Sequence, residues 1–136
     1  MTATILYEGN LRCNATHLQS GNSIETDAPT DNHGKGERFS PTDLVCTALG
    51  TCMITTMAIK TVDMGIELKG TTVDVKKHML ADPRRIGQID VVVAFPASLN
   101  LDEKNKIILQ RIGDNCPVIK SLNRDIVLNI EYKWLA

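Results

Sequence analysis

Phe39-Ser40-Pro41-Thr42-Asp43-Leu44-Val45-Cys46-Thr47-Ala48-Leu49-Gly50-Thr51-Cys52-Met53-Ile54-Thr55-Thr56-Met57-Ala58-Ile59 is the longest apolar stretch of the chain. Leu44 to Ile59 holds no charge, no proline and a single glycine. A helix apolar nearly all round belongs in a protein interior, and the run is shorter than the ~20 residues of a bilayer span. Its start is marked by chemistry: Ser40 suits the N-cap, Pro41 the first helical position, and Asp43 the first turn, where its charge meets the helix dipole. The helix is expected to run from Pro41 to about Met64, with Gly65 as its stop. Cys52 lies at its middle.

Working outward, residues 3 to 8, Leu11 to Gln19 and Ser23 to Asp27 read as three short antiparallel strands, with turns at Gly9-Asn10 and Ser20-Gly21-Asn22. Polar residues interrupt the alternation, so this sheet is expected at an edge or partly exposed. Ala28 to Arg38, with its Pro and two Gly, is a loop leading into the helix. Ile66 to Met79 and Ile86 to Phe95 form a long hairpin about Asp82-Pro83-Arg84-Arg85, with Ile89, Val91 and Val93 on one face of the return strand. Asp102 to Asp114 carries acids at its start and Ile108, Leu109 and Ile112 at helical spacing. Asn115-Cys116-Pro117 breaks that helix. Pro117 then opens a short one, Val118 to Leu122, with Cys116 at or beside its N-cap. Ile126 to Trp134 alternates Ile126, Leu128, Ile130 and Tyr132 with more polar neighbours as a closing strand. The order implies an α+β fold, an antiparallel sheet packed on helices, in a single domain spanning residues 1 to 136.

Composition narrows the function classes. A net charge of -1 argues against nucleic acid or an anionic membrane as partner, and 4% aromatics leave little for base stacking. The first residues lack a basic region followed by a long apolar run, so no signal peptide is expected and a cytoplasmic location is. The four cysteines include no C-x-x-C pair, which gives neither a zinc pattern nor a disulfide framework. Reactive thiol, redox pair and buried apolar filler all stay open. Cys13 and Cys46 fit the last. Cys116 lies where free backbone N–H groups favour a thiolate. Cys52, in mid-helix, needs an external cation, for which Arg12, Arg38, Lys35 and His17 are candidates. His17 and His78 have no acidic or Cys partner at ligand spacing, so no metal is expected. Gly34-Lys35-Gly36 falls short of a phosphate loop.

Gly36-Glu37-Arg38-Phe39-Ser40-Pro41-Thr42-Asp43-Leu44 running into Ala48-Leu49-Gly50-Thr51-Cys52, followed later by Cys116-Pro117-Val118 with Ser121-Leu122, resembles the osmotically induced / organic hydroperoxide resistance (OsmC/Ohr) family over nearly the whole chain. The resemblance implies an intertwined homodimer with sheets around two long central helices and two sites at the interface. It also implies a peroxidase of oxidative stress defence, without metal or organic cofactor, acting on organic or fatty-acid hydroperoxides. Carried over by residue, Cys52 is the peroxidatic thiol and Cys116 the resolving one. A dithiol, lipoyl-type in the best-known branch, is the reductant. Arg12 matches the arginine that holds the thiolate, with Arg38 as second choice. The carboxylate that orients this arginine in peroxidase members falls on Thr42 here; Asp43 follows it and is the candidate to take over, about 100° further round the helix. That departure points to the broader OsmC-like branch. Met53, Ile54 and Met57 are the expected walls of a substrate cleft. The alternative is an OsmC-like dimer that binds a lipophilic ligand or senses redox state with little turnover. A structural dimer with vestigial chemistry is a third possibility.

Overall fold

The structure is a computed structural model and describes residues 1–135. It divides into two compact units, residues 1–45 and residue 46 onward. In the first, β1 (Ala3–Gly9), β2 (Arg12–His17) and β3 (Ser23–Asp27) form an antiparallel meander in the order β1-β2-β3. Asn10 and Leu11, both with positive φ (54° and 63°), make the two-residue turn between β1 and β2. This is the backbone hand that matches strand twist. As expected from its broken alternation, the sheet is poorly covered: Ile5, Leu6, Tyr7 and Ile24 are all exposed.

Helix α1 (Pro41–Val62) starts where the sequence places it. The Asp43 N–H donates to Ser40 Oγ (3.1 Å) and the Ser40 N–H donates to Asp43 Oδ2 (3.0 Å), a reciprocal capping box. At the other end, the Ile66 N–H bonds the Thr61 carbonyl and the Gly65 N–H the Val62 carbonyl. With Gly65 at φ +67° this is a Schellman cap, and its geometry requires the glycine. By length and composition α1 could cross a membrane. Its buried residues, however, form one stripe, Cys46, Leu49, Gly50, Met53, Met57 and Thr61. The helix is therefore not buried all round within one chain: Val45, Ile59 and Val62 are exposed.

In the second unit, β4 (Thr72–Leu80) and β5 (Arg85–Phe95) form the expected hairpin, in register Val73↔Val93 and Val75↔Val91. α2 (Glu103–Gly113) is capped by Asp102, whose side chain accepts from the Asn105 N–H, and α3 (Pro117–Ser121) follows. β6 (Val127–Trp134) then joins the far edge of β5, giving the order β4-β5-β6. The β5–β6 pair is parallel rather than antiparallel. A connection through two helices returns the chain to the end at which β5 began, whereas a tight turn would have reversed it. Ile89, Val91, Val93 and Phe95 of β5 pack with Leu49, Met53, Met57, Leu109 and Cys116 in the core. Each of these larger side chains contributes about 1.5–3 kcal/mol relative to exposure. Phe95 anchors the rim of this core, stacked on Trp134 at 3.9 Å between ring centroids.

Candidate functional site

Cys52 is half-buried on α1, one residue before the fully buried Met53. Cys116 is fully buried and is the N-cap of α3, in extended conformation (φ -66°, ψ 156°). Its position follows from how α2 ends. The Asp114 N–H bonds the Gln110 carbonyl, the Asn115 side-chain amide bonds the Arg111 carbonyl (2.7 Å), and Pro117 presets the first helical φ of α3. The first turn of α3 leaves backbone N–H groups without helical acceptors, and sulfur takes them. Val118 N–H reaches Cys52, and Ile119 N–H reaches Cys116.

The two thiols also influence each other's titration, in opposite directions. Burial works against a Cys52 thiolate, but the Val118 N–H, the Thr56 hydroxyl (3.8 Å from the sulfur) and the Cys116 thiol together hold its pKa below the usual cysteine value. Cys116 is pushed up, chiefly by burial and further by its neighbour's charge, with the Ile119 N–H opposing. The pair thus favours a thiolate at Cys52 beside a thiol at Cys116. Thiolate is the nucleophilic form.

In the first unit, Arg12 and Asp27 face each other across the β2–β3 register. Their contact is bidentate, Nε to Oδ1 at 2.7 Å and Nη2 to Oδ2 at 2.9 Å. Asp27 is buried, and the Glu37 N–H donates to its Oδ2 at 3.1 Å. The guanidinium holds the Asp27 carboxyl below the usual carboxylate range, against the opposing effect of burial. Glu25 and Glu37 lie at 3.8 and 4.0 Å from Arg12. The carboxylate bound to Arg12 at close range is therefore Asp27 rather than Asp43, because the β2–β3 register and not local spacing sets it there. Asp43 is engaged with the Ser40 N–H, and Thr42 Oγ1 lies 3.2 Å from Ser40 Oγ. Arg38 is more exposed; its Nη1 donates to the Glu37 carbonyl and its Nε lies 3.7 Å from Glu25.

Met53 and Met57 are fully buried core side chains, not walls of an open cleft, because the helical stripe facing β5 includes both. Ile54 differs: with Thr47, Gly50, Thr51, Val73 and Val75 it lines an open cavity of about 210 Å³. Cys46 is buried as filler would be, and Cys13 is half-buried on β2. His17 Nδ1 shares a hydrogen bond with Ser20 Oγ, and His78 Nε2 lies 2.6 Å from Asp90 Oδ2. Among the described residues, no group of three or more His, Cys, Asp or Glu side chains is arranged to hold a metal ion.

Residues 34–131 match the family model described as OsmC-like protein. The chain belongs to that family. This OsmC-like protein is also similar to a candidate osmotic stress induced and detoxification response protein from Psychrobacter arcticus 273-4, whose crystal structure has a TM-score of 0.92 at 46% identity, covering 97% of this chain and 95% of that one. An OsmC-like protein from Mycoplasma pneumoniae (TM-score 0.81, 14% identity, 98% and 96% covered) shares the fold. So does the organic hydroperoxide resistance protein OhrB of Bacillus subtilis (TM-score 0.69, 17% identity, 98% of each chain covered). No curated protein matched. The resemblance of the Ser40-Pro41 and Cys116-Pro117 stretches is thus one of family, and the α+β architecture of two three-stranded sheets and a long helix is the OsmC-like one.

Proposed function

We propose that this OsmC-like protein is a thiol peroxidase that reduces organic hydroperoxides through Cys52 and Cys116, in the service of peroxide defence. The observation that carries the reading is that half-buried Cys52 of α1 and buried Cys116 at the N-cap of α3 belong to one packed cluster, with the thiolate favoured on Cys52. In the first step the Cys52 sulfur attacks the outer oxygen of the hydroperoxide, and the O–O bond breaks. The alkoxide takes up a proton and leaves as alcohol, and Cys52 becomes a sulfenic acid. The Cys116 sulfur then displaces water from it, forming a disulfide. A small dithiol, lipoyl-type in this proposal, returns both thiols and is itself oxidised to a disulfide. Arg12 enters the proposal as the activating cation, its guanidinium fixed by Asp27.

The working form is proposed to be a homodimer. Exposed Ile5, Leu6, Tyr7 and Ile24 on the first sheet and Val45, Ile59 and Val62 on α1 are the apolar surface that a second copy would cover. Sedimentation of the purified protein at micromolar concentration is expected to give twice the chain mass; a monomer would reject this part.

Purified protein is expected to consume cumene hydroperoxide or a fatty-acid hydroperoxide catalytically with dihydrolipoamide, and to show a Cys52–Cys116 disulfide by mass spectrometry when the dithiol is withheld. Peroxide consumption unaffected by Cys52→Ser would overturn the assignment. A second reading, a dimer that binds a lipophilic ligand or senses redox state, is favoured by the cavity beside Ile54, with Gly50, Val73 and Val75 in its wall. Catalytic turnover in the same assay excludes it.

A further inference from the structure

Cys116 is held by a turn, and that turn is fastened to the sheet at one point. Asp114, the C-cap of α2, accepts a hydrogen bond from the Tyr132 hydroxyl on β6 (2.7 Å to Oδ1), with the Gln110 carbonyl 3.2 Å from the same hydroxyl. Immediately before Asp114, Gly113 lets the backbone pass tightly between Tyr132 and Met57 of α1: a Cβ there would lie 2.5 Å from the Tyr132 oxygen and closer still to Met57 Cε. The Cys116 N–H closes the turn on the Gly113 carbonyl at 3.4 Å. The Tyr132 ring cannot swing freely, since it stacks near Phe95, which is fully buried (centroids 6.5 Å, planes 17° apart). Burial first, and then the Asp114 carboxylate, drive the Tyr132 pKa up, so the phenol keeps the proton it donates.

We propose that Tyr132 and Asp114 are positioning residues that hold the Cys116 turn against Cys52, and so set how fast a sulfenic acid at Cys52 is captured as a disulfide. The proposal rests on the thiol-peroxidase reading for its biological meaning, but its physical content is the effective concentration of one thiol toward the other. A thiol fixed in contact reacts as if highly concentrated, and loosening its anchor lowers that figure. A sulfenic acid that waits longer meets a second hydroperoxide more often; it is then oxidised to sulfinic acid, and the hydroperoxide is reduced to alcohol.

The experiment compares wild type with Tyr132→Phe, Asp114→Ala and Asp114→Asn. Because Asn keeps an acceptor oxygen at the Oδ1 position, Asp114→Asn is the conservative rescue. Each protein receives excess cumene hydroperoxide, and mass spectrometry reads the ratio of disulfide to sulfinic acid. This ratio does not depend on how fast the sulfenic acid first forms. Tyr132→Phe and Asp114→Ala are each expected to raise the sulfinic share about fivefold, with Asp114→Asn close to wild type. In parallel, equilibration with reduced and oxidised glutathione gives the effective concentration of the pair without any peroxide, and is expected to fall about fivefold in the same two variants. Wild-type values for both Tyr132→Phe and Asp114→Ala in the glutathione titration would overturn the positioning role. If wild type ignores hydroperoxide while the titration shows the expected drop, the positioning role stands and the peroxidase reading falls. Should Tyr132→Phe fold poorly, the Asp114 pair at the exposed end of the bond decides the matter alone.

Discussion

Gly113→Ala tests the closest packing in the second unit. Gly113 is buried as the last residue of α2, and the added methyl would overlap both Met57 Cε and the Tyr132 hydroxyl oxygen. Met57 Cε is the end of a flexible side chain, but the whole residue is buried in the core and has little room to retreat. Tyr132 is rigid and held by its bond to Asp114. Overfilling a packed site costs about 1–3 kcal/mol. Against this, alanine recovers about 0.5–1 kcal/mol over glycine within a helix, and less at a helix end. The net expectation is a loss of about 1–2 kcal/mol, balancing these two effects. Urea unfolding followed by far-UV circular dichroism measures it, with wild type and variant at the same protein concentration so that any dimerisation contributes equally. The expected result is a lower midpoint at unchanged slope, and a melting temperature lower by about 2–8 °C per kcal/mol. A midpoint at or above wild type would show that the Met57–Gly113–Tyr132 packing is not tight, and would leave the Tyr132–Asp114 bond without support from packing.

Three further outcomes are expected. Phe95→Ala, which empties a fully buried ring site stacked on Trp134, is expected to cost about 3–5 kcal/mol in the same unfolding assay, and a loss under about 1 kcal/mol would contradict its place in the core. Thr56→Val removes a hydroxyl beside the Cys52 sulfur, so the apparent pKa of Cys52, read from iodoacetamide alkylation against pH in a Cys116→Ser background, is expected to rise; an unchanged profile would show that the hydroxyl does not support the thiolate. Asp90 is held below the usual carboxylate range by the Gln88 amide first, then by His78 and Asn129. A depressed carboxylate pKa adds stability that is complete above the unfolded value of about 3.9 and fades as pH falls through the folded one. Melting temperatures between pH 5 and pH 2 should therefore fall less steeply for Asp90→Asn than for wild type, and parallel curves would remove Asp90 from the acid response.

The two units differ in how far local chemistry foreshadowed them. Ser40-Pro41-Thr42-Asp43 and Gly65 bracket α1 with caps that depend on neighbours three to five residues away, and both caps appear as expected. The alternation Ile89, Val91, Val93 likewise marks the buried face of β5, because a strand's two faces are set by its own period. Cys116 at the N-cap of α3 follows from Pro117 alone. The burial of Met53 and Met57 did not follow: a helix apolar on every side gives no indication of which stripe meets the sheet, and that was decided by β5 and α2 packing on it.

Asp27 is the sharper case. In the sequence it is one more acid before a loop, and the resemblance puts the carboxylate position for Arg12 at Thr42, with Asp43 beside it. Asp43 is engaged by the Ser40 N–H at its own helix end, a contact set by local spacing. Asp27 reaches Arg12 across fifteen residues, only because the β2–β3 register sets the two opposite each other. The same distinction separates the cysteines from their supports. Residue type and order singled out Cys52 and Cys116, and the chain's own punctuation placed one in mid-helix and the other at a helix start. The mutual influence of the two thiols and the anchor that Tyr132 gives to Asp114 both join residues far apart in the chain. The Tyr132 anchor in particular arises because β6 returns parallel to β5 and brings its side chains beside α2.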